Sequence, residues 1–259
     1  MCLILVSYKY HNDFPLVIAS NRDEFHNRPT APMAWQENGD ILCGIDLKEG
    51  GTWLGLSKTG RFAALTNYRD PANIKANAPS RGHLVTRFLQ GRDTPEAFVE
   101  ALRKDAKTSP CNGYNLLFGW VDALYHYSNI SDELTPLPPG VHAVSNALLN
   151  TPWPKTQKGR QRLAALDDPT HENLFKILSD THQPDDDTLP DTGMGLEWER
   201  ILSPLFIANP VYGTRSSCVI TRGTPGEINV SERSYAGHRK GPDEITGAQY
   251  FSFHIQSKP

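Results

Sequence analysis

Residues 2–7 form a run that is apolar on both alternations, the mark of a strand covered on both faces. A turn through His11-Asn12-Asp13 and Phe14-Pro15 leads to a second strand over 16–19. Paired as a hairpin, these two bring Asn21-Arg22-Asp23-Glu24 back beside the start of the first strand. Further strand signals follow over 41–45, 52–57 and 61–66, punctuated by glycines at 50–51 and 60. Helical spacing then takes over. Ser80 is placed to cap a helix through 82–89 that stops at Gly91, and Thr94-Pro95-Glu96 starts a second whose apolar face holds Phe98, Ala101 and Leu102. Strands resume over 114–120, 124–128 and 141–145, and a helical block covers 155–166 and 171–178. The polar stretch 181–195, with Asp185-Asp186-Asp187, reads as a solvated loop, since no glycine-turned calcium pattern accompanies it. Late strands are expected over 218–221, 228–230 and 250–254. Strands, then helices, then strands predict an α+β fold, a single domain over 1–259 with layered sheets and helices outside.

The charge balance narrows the function. Over 259 residues, 26 basic against 29 acidic side chains leave a formal charge of −3. That is no electrostatic footprint for nucleic acid and no polybasic membrane anchor. No run reaches the roughly 18 apolar residues of a membrane span, and the first residues lack the basic and small-residue marks of a signal peptide. Cys2, Cys43, Cys111 and Cys218 form no CxxC pair and read as reduced thiols of a cytoplasmic protein. Nine histidines include no HExxH, so no metal site is expected, and His83 and His126 read as ordinary polar residues. No glycine pattern makes a phosphate cradle. The five tryptophans are expected in the core or in pocket walls. Nothing in the sequence sets an oligomeric state.

Two places could carry chemistry. Cys2 follows the initiator methionine, and so small a residue permits methionine removal. The mature chain would then hold an α-amine with a pKa of about 7.7–8.0 on the same residue as a thiol of about 8.5. Such an amine can serve as base for its own nucleophile. A cysteine here can equally be an inert buried strand residue. The stretch from Asn21 to Thr30 is dense in charge. Taken alone it reads as a solvated turn with local ion pairs. Held by a hairpin near Cys2, Arg22 would lower the thiol pKa and Asp23 would orient the amine.

The motifs Met1-Cys2, Ala19-Ser20-Asn21-Arg22-Asp23-Glu24-Phe25, Arg28-Pro29-Thr30, Gly51-Thr52-Trp53-Leu54-Gly55 and Leu65-Thr66-Asn67-Tyr68-Arg69 occur in one order. Asn112-Gly113-Tyr114-Asn115-Leu116, Ser145-Asn146, Thr151-Pro152-Trp153-Pro154-Lys155 and Tyr212-Gly213-Thr214-Arg215-Ser216-Ser217 continue it. This pattern resembles the NRDE family, also called the transport and Golgi organisation 2 family, over nearly the whole chain. Cys218 departs from the threonine more usual there. The family in turn resembles the cysteine branch of the N-terminal-nucleophile hydrolases, with penicillin V acylases, bile salt hydrolases and acid-ceramidase-like amidases. The resemblance implies a four-layer αββα sandwich of the N-terminal-nucleophile hydrolase type, its first strand carrying the nucleophile. It implies Cys2 as nucleophile and Asp23 or Glu24 as its acidic partner, with Asp23 preferred and Arg22 as the neighbouring cation. Asn67 and Asn146 match the oxyanion asparagines, and Arg215 matches a late arginine beside the thiol.

Two functions follow as expectations. One is a hydrolase of a linear carbon–nitrogen amide in a small-molecule substrate, needing no cofactor. The other is a carrier or chaperone on the same fold, binding haem, acyl-CoA or another lipid without turnover.

Overall fold

The computed structural model describes residues 2–37, 39–223, 226–236 and 241–255. The chain runs through β1 (Cys2–Tyr8), β2 (Leu16–Phe25), β3 (Thr30–Trp35), β4 (Ile41–Asp46), β5 (Leu54–Ser57) and β6 (Arg61–Asn67). Helices α1 (Gly82–Gln90) and α2 (Pro95–Ala106) precede β7 (Tyr114–Trp120), β8 (Ala123–Ser128), β9 (Glu133–Pro136) and β10 (Gly140–Val144). Three helices follow, α3 (Pro154–Ala164), α4 (His171–Leu178) and α5 (Leu196–Leu202), and then β11 (Tyr212–Arg222), β12 (Glu227–Tyr235) and β13 (Ile245–His254).

The strands form two antiparallel sheets, ordered β10-β1-β2-β11-β12-β13 and β3-β4-β5-β6-β7-β8-β9. β1 shows how the sequence dictates the layering. Ile4, Val6 and Tyr8 point between the sheets, where they meet Leu54, Leu56 and Phe62 of the other sheet. Leu3 and Leu5 point the other way, into a core shared with Leu163, Leu174 and Leu178 of α3 and α4. A third core joins Ala63, Leu116 and Phe118 to Val85, Phe88 and Phe98 of α1 and α2. Three apolar cores therefore separate four layers, helix, sheet, sheet, helix. The fold is the expected αββα sandwich. A strand covered on both faces must be apolar on both alternations, and β1 is.

Several boundaries differ from the sequence reading. The second strand does not stop at 19 but runs to Phe25, so Asn21, Arg22 and Asp23 are buried strand residues, not a solvated turn. Thr94 caps α2 as expected, its Oγ1 accepting from the Ala97 N–H at 3.2 Å. Ser80 does not cap α1, whose cap position is Arg81 with no side-chain cap bond. β3, β9 and α5 were not foreseen. Asp186 in the acidic stretch pairs with Arg200 at the surface. No helix among the described residues is long and apolar enough to cross a membrane.

Candidate active site

The site lies where β1 begins. Cys2 stands directly opposite Arg22 in the β1–β2 ladder, so both side chains leave the same face of the sheet. The Arg22 guanidinium lies over the Trp53 ring, 4.3 Å from its centroid, and its Nη1 has no hydrogen-bond partner among the described residues. Asp23, one residue on, takes the opposite face, toward α3. Its Oδ1 accepts from Thr214 Oγ1 at 2.7 Å, and its carbonyl accepts from the Tyr212 hydroxyl at 2.7 Å. Asn21 ties β2 to the helix layer, donating to the carbonyls of Leu178 and Leu205 at 2.9 and 2.8 Å. Glu24 is half-buried, with Oε2 3.8 Å from Arg28 Nε. Of the two acids the resemblance left open, Asp23 is the buried one.

Burial decides the electrostatics. The Cys2 side of the chain is nearly closed to solvent, the residue being 8% exposed. Burial raises the thiol pKa and the Asp23 charge adds to that, while Arg22 and the Asp23 backbone N–H oppose it. Arg22 does pull the thiol down, as expected, but even together with the terminal ammonium it does not outweigh the loss of water around a thiolate, and the net shift is upward. Burial also raises the Asp23 carboxyl, against the pull of Lys155, Thr214 and Arg22. Lys155 is the residue sequence reasoning missed. It sits at the start of α3, donates to the Leu202 carbonyl at 2.8 Å, and burial brings it down to about 8 even though Asp23 holds it up.

The two asparagines meet at the same end of the sandwich. Asn67 closes β6 in one sheet; Asn146 follows β10 in the other. Asn146 Nδ2 donates to the Asn67 carbonyl at 2.8 Å, which spends one of its two amide hydrogens. Ser145 Oγ lies 3.1 Å from the Cys2 carbonyl and 3.2 Å from Asn146 Oδ1, linking this pair to the first strand. Arg215 is anchored through backbone carbonyls of the turn after β2. It occupies a bulge between Thr214 and Ser216, and its Nη1 is shared among the carbonyls of Phe25, His26 and Arg28 at 3.0, 3.0 and 3.1 Å. These bonds hold the turn after β2. Met1, on whose removal the α-amine depends, lies outside the described residues.

Beside the asparagines opens a cleft of about 1320 Å³, whose wall includes Asn67, Arg69, Arg81, Tyr114 and Asn146. Cys2 is not part of that wall. The Arg69 side chain is 4% exposed and pairs at 2.5 Å with that of Glu199, 3% exposed. Its guanidinium lies over the Trp153 ring at 4.8 Å. Lys155, Arg69, Tyr212 and Thr214 all fall inside motifs the resemblance rests on, which was the available signal; nothing in the sequence marks Glu199.

Residues 1–237 match the family model for transport and Golgi organisation 2. The transport and Golgi organization protein 2 homolog of Bos taurus is 34% identical, covering 92% of this chain and 94% of that one. Its Homo sapiens counterpart is 32% identical, covering 90% and 93%. Among solved structures, the C2A mutant of the conjugated bile acid hydrolase from Clostridium perfringens aligns with a TM-score of 0.48 at 10% identity, over 100% of this chain and 99% of that one.

Proposed function

The chain belongs to the transport and Golgi organisation 2 family, and from that premise we propose that it is a cysteine N-terminal-nucleophile hydrolase cleaving a linear carbon–nitrogen amide of a small molecule. The observation that supports this most is convergence. Strand ends from both sheets bring Cys2, Arg22, Asn67 and Asn146 to one end of the sandwich, linked through Ser145. A buried cysteine with only a packing role needs none of these polar neighbours.

With Met1 removed, the Cys2 amine takes the thiol proton as sulfur bonds to the amide carbon. A thiol raised by burial makes such a base necessary. The carbonyl oxygen becomes an oxyanion, which the Asn67 amide and the remaining Asn146 hydrogen are suited to receive. The carbon–nitrogen bond then breaks, and the nitrogen leaves with the proton held by the α-ammonium. Water attacks the resulting thioester, giving its proton to the amine, and the carboxylic acid departs as the thiol is restored. Asp23, beneath the strand and beside Lys155, fixes the local field and does not touch the substrate.

One observation favours a second reading, a carrier of haem, acyl-CoA or another lipid: the large cleft is not walled by Cys2. The deciding experiment joins intact mass with a panel of acyl amides. The hydrolase reading expects a chain lacking Met1 whose amide cleavage is abolished by Cys2→Ala. A retained methionine, or saturable haem or acyl-CoA binding that survives Cys2→Ala with no amide cleaved by the wild type, supports the carrier instead.

A further inference from the structure

The proposed hydrolysis leaves Arg69 without a task, although the fold spends much on it. Its guanidinium is out of water, laid over Trp153 and anchored through Nη1 to Glu199. Glu199 is itself fully committed, since its other oxygen accepts from the Thr192 N–H at 3.0 Å and from the Thr192 hydroxyl. Yet Nε and Nη2 of Arg69 have no hydrogen-bond partner among the described residues. These two nitrogens share one edge of the guanidinium plane, the edge whose parallel N–H groups receive both oxygens of a carboxylate. Charged donors buried without acceptors are costly, and here they form a complete fork and not a stray hydrogen.

Position gives that fork a purpose. Arg69 is two residues beyond Asn67, its backbone N–H donates to the Asn146 carbonyl at 2.8 Å, and it stands in the cleft wall with both asparagines. Arg81 stands there too. Its Nη1 donates to the Gly113 carbonyl at 2.8 Å, and it makes no ion pair among the described residues. At this end of the cleft Arg69 therefore pairs with one carboxylate, that of Glu199, and Arg81 makes no ion pair among the described residues.

We propose that the open edge of Arg69, with Arg81 as a second positive charge, binds a carboxylate of the substrate. The substrates are then acidic amides, in which a carboxylate lies a few bonds from the scissile carbon–nitrogen bond, as in N-acyl amino acids. The placement of the scissile bond rests on the hydrolase reading; the carboxylate site does not. Both fork nitrogens are shielded from solvent, so binding includes a parting of side chains at the cleft wall.

The test is calorimetric titration of the Cys2→Ala chain with N-octanoylglycine and with its methyl ester, two probes differing only in the carboxylate. The acid should bind roughly tenfold tighter or more. Adding Arg69→Gln should remove most of the acid's advantage while leaving the ester unchanged. Arg69→Lys, a point charge without the fork, should keep part of the preference, and Arg81→Gln should weaken it without touching Glu199. Equal affinities in the parent, no binding of either probe, or a preference undiminished by Arg69→Gln overturns the proposal; if Arg69→Gln does not fold, an undiminished preference in both Arg69→Lys and Arg81→Gln does so. Because no turnover is needed, an inactive wild type with an intact acid preference overturns only the hydrolase reading. Cleavage of neutral amides in preference to acidic ones overturns only the carboxylate site.

Discussion

At Cys2 two influences oppose each other, and burial with the Asp23 charge prevails over Arg22. The thiol is therefore held protonated near neutrality, and its reactivity depends on a local base more than on a nearby cation. Lys155 is the other titrating group of this network. It titrates at about 8 in the fold and at about 10.4 in an unfolded chain. Between those values the unfolded chain keeps the proton that the folded chain has shed, so stability rises with pH through that window. Below it both forms are protonated and the cost of the buried ammonium is present in full. From about pH 7.5 to 9.5 the wild type should gain roughly 2 kcal/mol relative to Lys155→Met, read by denaturant unfolding at both pH values. Identical pH dependence in the two proteins would remove Lys155 from the network. Cys2, Arg22 and Asp23 were legible because a hairpin register needs only local sequence. Arg69 with Glu199, 130 residues apart, was not, because only packing of the whole chain brings them together.

Elements were legible where pattern and environment agree. β1, β6 and β7 are covered on both faces and read as apolar runs. β3 escaped because Pro32 argues against a strand; it is tolerated there because β3 is the edge of its sheet, where one row of backbone groups is unpaired. β9, ending at Pro136, is the opposite edge and escaped for the same reason. β2 was cut short because polar residues were taken to end it. As a strand between β1 and β11 it buries them instead, Asn21 and Asp23 bonded to other elements and Arg22 laid over Trp53. The β11 bulge then decides what Arg215 does. Bonded to three carbonyls of the turn, it should act on stability and not on the thiol. Arg215→Met should cost about 1–2 kcal/mol in chemical denaturation and leave the iodoacetamide labelling rate of Cys2 unchanged in peptide mapping. Slower labelling at unchanged stability would return Arg215 to the thiol, as the resemblance implied.

Across the whole molecule, the sandwich has one end where apolar filling gives way to buried polar groups. The α+β class followed from the order of strand and helix signals, and the four layers from the resemblance. The polar end itself was not legible, because it is assembled by closing one sheet over the other. Asn67 and Asn146 show this, since each belongs to a different sheet and the bond between them spans the layers. That geometry separates the two functional readings. In a hydrolase, an amide donor has its value only when charge develops on the carbonyl oxygen. Asn67→Ala should then lower kcat by roughly 10²–10³ with KM little changed. Asn146→Ala should lower kcat as well and also reduce stability, because it breaks the link to the Asn67 carbonyl and removes the acceptor facing Ser145. A carrier has no transition state to lose, so the same substitutions would alter ligand affinity alone. Steady-state kinetics on any cleaved amide, with thermal melting of each variant, distinguishes these outcomes. A fall in kcat that tracks the loss of stability in both variants would mean that the asparagines hold the sheets together and stabilise no oxyanion. A fall in Asn67→Ala with an unchanged melting temperature would place its amide at the reacting carbonyl.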